Sequence, residues 1–377
     1  MIIGFDAKRA VANNTGLGNY SRLVVDVLSE LYPDNSYQLY APKTASPERV
    51  ATLLNRKNVS LIGPDKTLWK YASALWRVHR GITNQLSRNN VQLFHGLSNE
   101  LPLDISRIGI PSVVTIHDLI FRKCPDGYKS IDRQIYDYKF RHAALNATRI
   151  IAISECTKRD IMDLYHIPES KISVVYQGCN PVFTQPIAPQ QQNEVKQKLS
   201  LPDTFITMVG TVEPRKNQLL AVRALPAISK DVHLVIIGRG RMGYDDMIRR
   251  EIRRMNLESR VTMIPFVESQ YLPAVYSLAA IAAYPSRYEG FGIPVIEAIN
   301  CGTPVVAASG SCLEEAGGPG ALYVHPDSPE DFANAVSRLL NDTKLRTDMA
   351  TAGKQWVQKF SRTNFANGII NAYKSVL

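Results

Sequence analysis

The sequence predicts an α/β protein with two Rossmann-like domains, each built on a parallel β-sheet. Short apolar, β-branched segments alternate with helix-period segments along the whole chain, which is typical of parallel sheets covered on both faces. At 377 residues the chain is too long for one ordinary core, and two domains of about 180 residues are the natural division. A hydrophobic fraction of 45% and a charged fraction of 21% are those of a soluble globular protein.

The predicted strands fall into two series separated by a polar, proline-containing segment, residues 177–193, which suits a domain boundary. We therefore predict a first domain of residues 1–180 together with 361–377, and a second domain of residues 181–360. The C-terminal segment is assigned to the first domain because apolar residues recur at helical spacing from Phe365 to Tyr373. The predicted strands are 2–5, 38–40, 93–95, 112–116, 149–153 and 173–176 in the first series, and 205–209, 233–237, 261–264, 281–284 and 304–307 in the second.

Composition favours a cytoplasmic protein. The chain begins directly with an apolar strand and shows no signal-peptide pattern. No apolar run approaches the ~18 residues that a membrane-spanning helix needs. The five cysteines are scattered without C-x-x-C spacing, so reduced core thiols are expected rather than disulfides or a zinc site.

The positive charge is concentrated in the first half of the chain. Residues 1–180 hold 23 Lys and Arg against 16 Asp and Glu, a net charge of +7, out of +10 for the whole chain. No nucleic-acid-binding signature accompanies this charge, so no nucleic-acid partner is expected. The segment 69–88 combines tryptophans with basic residues and predicts one helix, which would lie either on an anionic membrane surface or in the core with a solvated basic face.

The segment R-Y-E-G-F-G-I-P-V-I-E-A, residues 287–298, contains two glutamates eight positions apart. It follows a predicted buried strand, and Pro294 suits the first position of a helix. Glycines let backbone approach a ligand, and a helix start offers N–H groups to an anion. Glu289 on the loop and Glu297 in the first helical turn would then bind polyols on either side of an anion. The alternative is that Glu297 only complements the helix dipole and Glu289 is a solvated loop residue.

A second loop, T-V-E-P-R-K-N-Q, comes after the strand that ends before Gly210. Ligands of open α/β sheets bind at the carboxyl ends of strands. Arg215 and Lys216 at this edge suit a diphosphate, Arg as a fork and Lys as a point charge. Lys216 is expected to be solvated in the empty protein, and an ordinary basic loop is the alternative interpretation.

The first half contains two further candidates. Gly16 lies in a glycine-bearing turn after the first strand, where a phosphate or sugar could approach the backbone. His117 and Asp118 close another strand, and His117 could either face the active site or be a structural residue held by Asp118.

The glycines of G-R-G-R-M-G, residues 238–243, match the dinucleotide-binding pattern. They come after the second strand of their half, and no helix starts directly from them, so a turn is the preferred interpretation. The sequence has no D-x-D pair, so no metal site is predicted.

Together these segments resemble the retaining glycosyltransferases of family 4, which have the GT-B fold with two sheets facing across a cleft. The E-x7-E element of that family matches Glu289 and Glu297, and its diphosphate-binding lysine matches Lys216. The likeness covers nearly the whole chain. The form E-P-R-K-N is most similar to bacterial mannosyltransferases of surface-polysaccharide assembly.

The H-D pair of that family matches His117 and Asp118, but two positions depart from the family pattern. Many members carry arginine after the glycine of the phosphate loop, where this chain has Thr211, so Arg215 would supply that charge. The usual asparagine of the interdomain turn is Gln177.

The resemblance implies roles for named residues, with the acceptor on the first domain and a nucleotide-sugar donor on the second. Catalysis would involve His117, Arg215, Lys216 and Glu289. Donor binding would involve Gly16, Gly210, Arg215, Lys216, Phe266, Val267, Glu289, Gly290, Phe291, Gly292 and Glu297. The acceptor would meet His95, Asn99 and Asp118.

The implied reaction is transfer of a sugar with retention, assisted by the departing phosphate, with no metal, no other cofactor and no enzymic nucleophile. The expected donor is GDP-mannose, and the acceptor is a glycan or a lipid-linked saccharide. Two alternatives stay open: an NAD-dependent sugar-modifying enzyme, and a nucleotide-sugar epimerase or hydrolase of GT-B fold. The expected location is the cytoplasm, with a peripheral position on the inner face of the membrane as the second option.

Overall fold

The computed structural model describes residues 1–13, 15–42, 47–65, 69 and 71–377. They form two compact units. The first contains Met1–Gln177 and Ser361–Leu377, and the second contains Gly178–Phe360.

The described residues of the first unit form a seven-stranded, wholly parallel sheet in the order β3-β2-β1-β4-β5-β6-β7. The central strands β4 and β5 are buried at every position, as expected when helices cover both faces. The strands are β1 Ile2–Asp6, β2 Ser36–Tyr40, β3 Val59–Ile62, β4 Leu93–Gly96, β5 Ser112–Ile116, β6 Arg149–Ala152 and β7 Ile172–Val174. The helices before the domain boundary are α1 Lys8–Ala12, α2 Gly16–Leu31, α3 Ala51–Leu54, α4 Ser73–Val78, α5 Gly81–Arg88, α6 Ile120–Lys123, α7 Ser130–Asn146 and α8 Glu155–Tyr165.

The second unit carries a six-stranded parallel sheet in the order β10-β9-β8-β11-β12-β13 among its described residues. The strands are β8 Phe205–Val209, β9 His233–Ile237, β10 Val261–Ile264, β11 Ile281–Tyr284, β12 Val305–Ala308 and β13 Ala321–Val324. The helices are α9 Pro189–Lys198, α10 Gln218–Ala224, α11 Tyr244–Arg254, α12 Leu272–Leu278, α13 Ile293–Asn300, α14 Leu313–Gly317, α15 Pro329–Asn341 and α16 Thr343–Trp356.

Two strands are absent from the sequence prediction, and both are edge strands. β3 and β13 each have four residues, of which only part is buried. Edge strands are short and half solvated, so their apolar signal is weaker than that of the central strands.

Each sheet has one point at which the strand order reverses, between β1 and β4 in the first unit and between β8 and β11 in the second. Loops that leave neighbouring strands in opposite directions open a crevice at such a point. The site predicted in the second half lies at the β8–β11 reversal.

The final helix, α17, spans Arg362–Lys374 and belongs to the first unit. It packs on α2 and buries Phe365, Ile369, Ile370 and Tyr373. Arg362 adds ion pairs of 2.9 Å to Asp26 and 2.6 Å to Glu30.

The prediction of one basic, aromatic helix over residues 69–88 is wrong. The described part forms two short helices, α4 and α5, and Lys70 lies outside the described residues. Trp76 is fully buried, and Arg77 is buried in ion pairs with Asp6 and Glu100. These side chains therefore stabilise the core of the first unit, and they do not form a membrane-facing surface.

Across the described residues, no helix combines the length and the apolar character that a membrane crossing requires.

Candidate active site

Two loops meet at the β8–β11 reversal of the second unit. One leaves β8 and contains Arg215 and Lys216, and the other leaves β11 and contains Glu289. β8 and β11 are hydrogen-bonded neighbours, so both loops leave the same edge of the sheet. The Arg287 amide donates to the Arg215 carbonyl at 2.8 Å, which joins the loops directly.

The carboxylate of Glu289 binds both cations of the other loop. Its Oε1 lies 2.5 Å from Lys216 Nζ, and its Oε2 lies 2.7 Å from Arg215 Nη1. Glu289 is only 9% exposed. Burial alone would raise its pKa, but Lys216 and Arg215 lower the pKa of Glu289 to about 2. The carboxylate is therefore ionised throughout the physiological range.

Arg215 is also held by two further acceptors. Its Nη1 donates to the Tyr288 carbonyl at 2.6 Å, and its Nη2 binds Glu213 at 2.5 Å. Burial opposes the charged form, but the two glutamates raise the pKa of Arg215. The guanidinium thus contacts carboxylates on both sides.

The expectation that Lys216 is solvated in the empty protein is wrong. Its side chain is 17% exposed and is paired with Glu289. Sequence reasoning placed the cation at the correct strand edge, but it could not show that the carboxylate of the neighbouring loop neutralises it.

The close approach of the β8 and β9 loops explains Gly238, the first glycine of the dinucleotide-like pattern. A Cβ on Gly238 would lie 1.8 Å from the Gly210 carbonyl oxygen, and both residues have positive φ. A Cβ on Gly240 would lie 2.1 Å from the Asp245 carboxylate. Packing between the two loops therefore requires Gly238 without any dinucleotide. The expectation that no helix starts directly from these glycines is wrong, because Gly243, with φ +70°, caps α11.

The E-x7-E segment starts α13, but with a different register from the prediction. Gly292, with φ +111°, caps the helix, so Pro294 is its second residue and Glu297 lies beyond the first turn. Phe291 is buried and packs edge to face on Phe360. The side chain of Phe291 is therefore used within the unit. Gly290 immediately precedes it on this buried loop.

Glu297 differs electrostatically from Glu289. Burial raises its pKa to about 7, and a hydrogen bond from Tyr276 only partly opposes this. The residue is partly exposed, so it is accessible to a ligand.

Phe266 and Val267, which the resemblance assigns to donor binding, come after β10 at the same sheet edge. Phe266 is 63% exposed, and the Arg239 guanidinium lies 5.7 Å from its ring centroid. Val267 is buried in an apolar cluster. An exposed ring with a cation over it offers a stacking surface for a planar group.

In the first unit, Gly16 starts α2 and is exposed. Of the described atoms, none lies within 4 Å of where a Gly16 Cβ would be, so this turn is open to a ligand.

His117 comes directly after β5 and is buried. Its Nε2 lies 2.9 Å from the Leu97 carbonyl oxygen, and its ring meets Tyr20 edge to face at 4.5 Å. Burial lowers the pKa of His117 to about 4, so the ring is neutral at pH 7 and Nε2 donates to Leu97. Asp118 accepts from the Ile120 amide at 3.1 Å.

His95 is placed where it cannot serve as the predicted acceptor contact. It is fully buried, and its ring nitrogens bind Tyr373 Oη at 2.7 Å and Thr115 Oγ1 at 2.9 Å. The side chain of Asn99 is also buried and accepts from the His117 amide at 2.7 Å. Both residues build the loops around His117, since their polar groups are used within the unit.

Sequence reasoning missed three charged groups that the structure brings to these edges. Glu213 belongs to the T-V-E-P-R-K-N-Q loop, but the sequence pattern assigns it no role. Asp6 ends β1, and Arg77 binds it at 2.9 Å through its Nε. An aspartate that ends the first strand is a usable signal, whereas the partner 71 residues later in the chain is not visible in sequence.

Two doubly wound units, each built on a parallel sheet, match the fold of GT-B glycosyltransferases, and comparison with solved structures supports this fold class. A glycosyltransferase from Rickettsia africae matches with a TM-score of 0.78 at 17% identity, over 100% of this chain and 98% of that one. Anabaena Alr3699/HepE, solved in complex with UDP and glucose, matches with a TM-score of 0.74 at 18% identity over 99% of both chains. The predicted GT-B fold class is confirmed.

Family models match both halves of the chain. "Glycosyltransferase Family 4" matches residues 23–183, and "Glycosyl transferases group 1" matches residues 190–356. The O-antigen chain mannosyltransferase B of Escherichia coli is 30% identical over 287 residues, covering 75% of this chain and 74% of that protein. The chain therefore belongs to the family 4 glycosyltransferases and is a transferase enzyme.

Proposed function

We propose that this enzyme transfers mannose from GDP-mannose, with retention of configuration and without a metal ion, to a glycan or a lipid-linked saccharide. The single observation that carries the donor assignment is the Arg215–Glu289–Lys216 cluster at the β8–β11 reversal. The choice of mannose rests on the relatives, since the Escherichia coli protein is named as a mannosyltransferase.

The cluster supplies the charge that a metal-independent transfer requires. In the proposed complex the donor diphosphate takes over Lys216, with Arg215 beside it, and the Glu289 carboxylate turns to hydroxyls of the sugar. Preorganised cations stabilise a leaving diphosphate because they need no reorganisation as charge develops. Glu297 would accept hydrogen bonds from the ribose.

The proposed transfer needs no nucleophile from the enzyme. The bond between the sugar C1 and the phosphate oxygen breaks, and the acceptor hydroxyl oxygen forms its bond to C1 on the same face. The acceptor proton passes to the departing phosphate oxygen. His117, neutral with Nε2 donating to Leu97, would position the sugar side and is given no proton-transfer role.

A panel of nucleotide-sugars tests the donor. We expect GDP-mannose to raise the melting temperature, while UDP-, dTDP- and ADP-sugars at equal concentration do not. Transfer of labelled mannose should survive EDTA. Stabilisation by a UDP- or dTDP-sugar alone would refute the donor, and loss of activity in EDTA that Mn²⁺ restores would refute metal independence.

A further inference from the structure

A polar pocket of about 280 Å³ opens on the second unit, at the carboxyl edge of its sheet. Its walls include residues from the loops that follow β8, β11 and β13 and from helices α10 and α11. The volume lies just below the range of most small-molecule sites, so a ligand with few non-hydrogen atoms would fit. The carboxyl edge is also where ligands of α/β sheets bind.

The pocket is distinct from the candidate donor site, although the two share a loop. Pro214 and Asn217, which precede and follow the two cations of that loop in the sequence, line the pocket. Arg215, Lys216 and Glu289 do not line it. A ligand in this pocket would therefore contact a different set of side chains from a ligand in the donor site.

Arg223 of α10 supplies the first cation of the pocket. It binds Glu251 through its Nε at 2.8 Å, and among the described residues neither of its Nη atoms has a hydrogen-bond partner. Arg254 binds the same carboxylate at 2.8 Å and 3.0 Å. Bonds from Arg254 and Arg223 lower the pKa of Glu251 to about 2, so it is ionised at neutral pH. Two guanidinium groups thus share one negative charge, which leaves one positive charge in surplus.

The second cation of the pocket is Arg287, in the loop after β11. Its Nη1 donates to Asp327, which also lines the pocket. The two side chains are 45% and 58% exposed, and an ion pair in such surroundings contributes little to stability because water screens it. An incoming anion can therefore take the place of Asp327 beside Arg287.

The third donor of the pocket is a buried hydroxyl, that of Tyr244 on α11, whose residue is only 5% exposed. Its oxygen accepts from the Leu219 amide at 3.4 Å, and among the described residues the hydroxyl proton has no acceptor. Burial raises the pKa of Tyr244, although the Leu219 amide and the charges of Arg287 and Arg223 oppose the rise. The hydroxyl therefore stays protonated and interacts with both guanidinium groups. Buried polar groups are usually hydrogen-bonded, so this proton is suited to a bound acceptor.

We propose that this pocket binds a small phosphate monoester, with the phosphate group held by Arg223, Arg287 and Tyr244. Three donors from three separate elements match the three terminal oxygens of a tetrahedral phosphate, whereas a planar carboxylate offers only two. Leu219 and Pro329 also line the pocket and would contact the short carbon chain of the ester. The proposal does not depend on the proposed donor, because the cations of the donor site take no part in it.

Glycerol 3-phosphate is the probe, titrated calorimetrically into the full chain. We expect saturable binding, with about tenfold weaker binding of glycerate, which carries a carboxylate in place of the phosphate, and of inorganic phosphate, which lacks the carbon chain. Absence of binding would overturn the site. Equal binding of glycerate would overturn the assignment to phosphate, and equal binding of inorganic phosphate would overturn the assignment to an ester.

Variants of the lining residues test the arrangement of donors. Arg223→Gln and Arg287→Gln should each weaken binding about tenfold, because each removes a charged fork from the phosphate. Tyr244→Phe should weaken it about threefold, since one neutral hydrogen bond is lost. Asp327→Asn should strengthen it about threefold, because the carboxylate no longer competes for Arg287. Weaker binding by Asp327→Asn would mean that Arg287 stays with Asp327, and would overturn the three-donor arrangement.

Arg253→Gln is the matched control, because Arg253 is an exposed arginine of α11 that does not line the pocket. Its binding should stay within about twofold of wild type. Equal losses in Arg253→Gln and Arg223→Gln would overturn the pocket in favour of the general positive charge of α11. Binding that is lost in Lys216→Ala but retained in Arg223→Gln would place the phosphate in the donor site and overturn the pocket.

Discussion

At the residue scale, Glu289 is the central group of the candidate donor site, because its one carboxylate pairs with two cations. Alternating charges run from Arg241 through Glu213, Arg215 and Glu289 to Lys216. The cations are thus fixed in position before any donor binds. A diphosphate must compete with Glu289 for these cations. Mutation of Glu289 and mutation of the cations should therefore have different effects.

Lys216→Ala should lose about 10²–10³ in kcat, because a cation at the leaving diphosphate stabilises developing charge. Glu289 keeps Arg215 as a partner, so the loss of unfolding free energy should be about 1 kcal/mol. That corresponds to a fall of about 2–4 °C in melting temperature. Steady-state kinetics and calorimetry measure the two effects.

Lys196→Ala is the matched control for this variant. Lys196 belongs to the same unit and pairs with Asp203 at 2.6 Å, but it lies on α9, away from the strand edge. Its kcat should be unchanged. Near-normal kcat in Lys216→Ala would show that the diphosphate binds elsewhere.

Glu289→Gln should change nucleotide binding and turnover in opposite directions. The neutral amide no longer competes for Lys216 and Arg215, so GDP should bind about tenfold more tightly, or by about 1.4 kcal/mol. The same variant loses the carboxylate that holds the sugar, so kcat should fall by about 10² or more. Calorimetric titration with GDP and transfer kinetics provide the two measurements.

The control for Glu289→Gln is Glu194→Gln, which removes an exposed carboxylate of the second unit on α9, where it accepts from Gln190 at 3.2 Å. GDP affinity should be unaffected there. Weaker binding of GDP by Glu289→Gln would mean that Glu289 contacts the nucleotide instead of competing with it.

At the scale of elements, sequence pattern predicts the buried strands and the loops at their carboxyl ends. β8 and β11 carry strong apolar runs, so the loops with Lys216 and Glu289 could be assigned to one sheet edge from the sequence. β3 and β13 are four-residue edge strands with partly exposed positions, and their pattern is too weak to distinguish them from loops.

The partners of long-range ion pairs cannot be predicted from the sequence. Lys216 and Glu289 are 73 residues apart in the chain, and local composition carries no information on which partner a charge meets. For the same reason the basic face predicted for residues 69–88 would expose Arg77, although Arg77 is buried and pairs with Asp6 and Glu100.

Glu297 on α13 leads to a prediction about how the affinity for GDP-mannose depends on pH. The pKa of Glu297 is about 7, above the usual value for a glutamate, so the neutral acid dominates below pH 7 and the carboxylate dominates above it. If the ribose requires the carboxylate, the affinity for GDP-mannose should rise about tenfold between pH 6 and pH 8, in proportion to the ionised fraction.

Titration calorimetry with GDP-mannose across this range checks the effect, since its doubly esterified diphosphate keeps a constant charge. Glu297→Gln should flatten the profile. A slope that persists in Glu297→Gln would assign the titration to another group.

At the scale of the whole molecule, the last helix of the chain returns to the first unit and is hydrogen-bonded to its sheet. Tyr373 on α17 binds His95 on β4, and the other ring nitrogen of His95 binds Thr115 on β5. Thr115 Oγ1 also lies 3.0 Å from Tyr20 Oη on α2. Burial lowers the pKa of His95 to about 3, so the ring is neutral and bridges two hydroxyls. The last helix is therefore bonded to the strands that support His117.

Tyr373→Phe should destabilise the first unit and leave the second unchanged. The variant keeps the ring but leaves a buried nitrogen of His95 without its partner, which costs about 1–3 kcal/mol. Tyr32→Phe is the matched control, because it removes a hydroxyl bonded to Asn367 of the same helix at an exposed position, and should cost less than about 0.5 kcal/mol. Hydrogen exchange read by mass spectrometry should show faster exchange in peptides from α17, β4 and β5, with residues 178–360 unaffected. Equal effects in the two variants, or faster exchange in the second unit, would show that the buried bond does not tie α17 to the first unit.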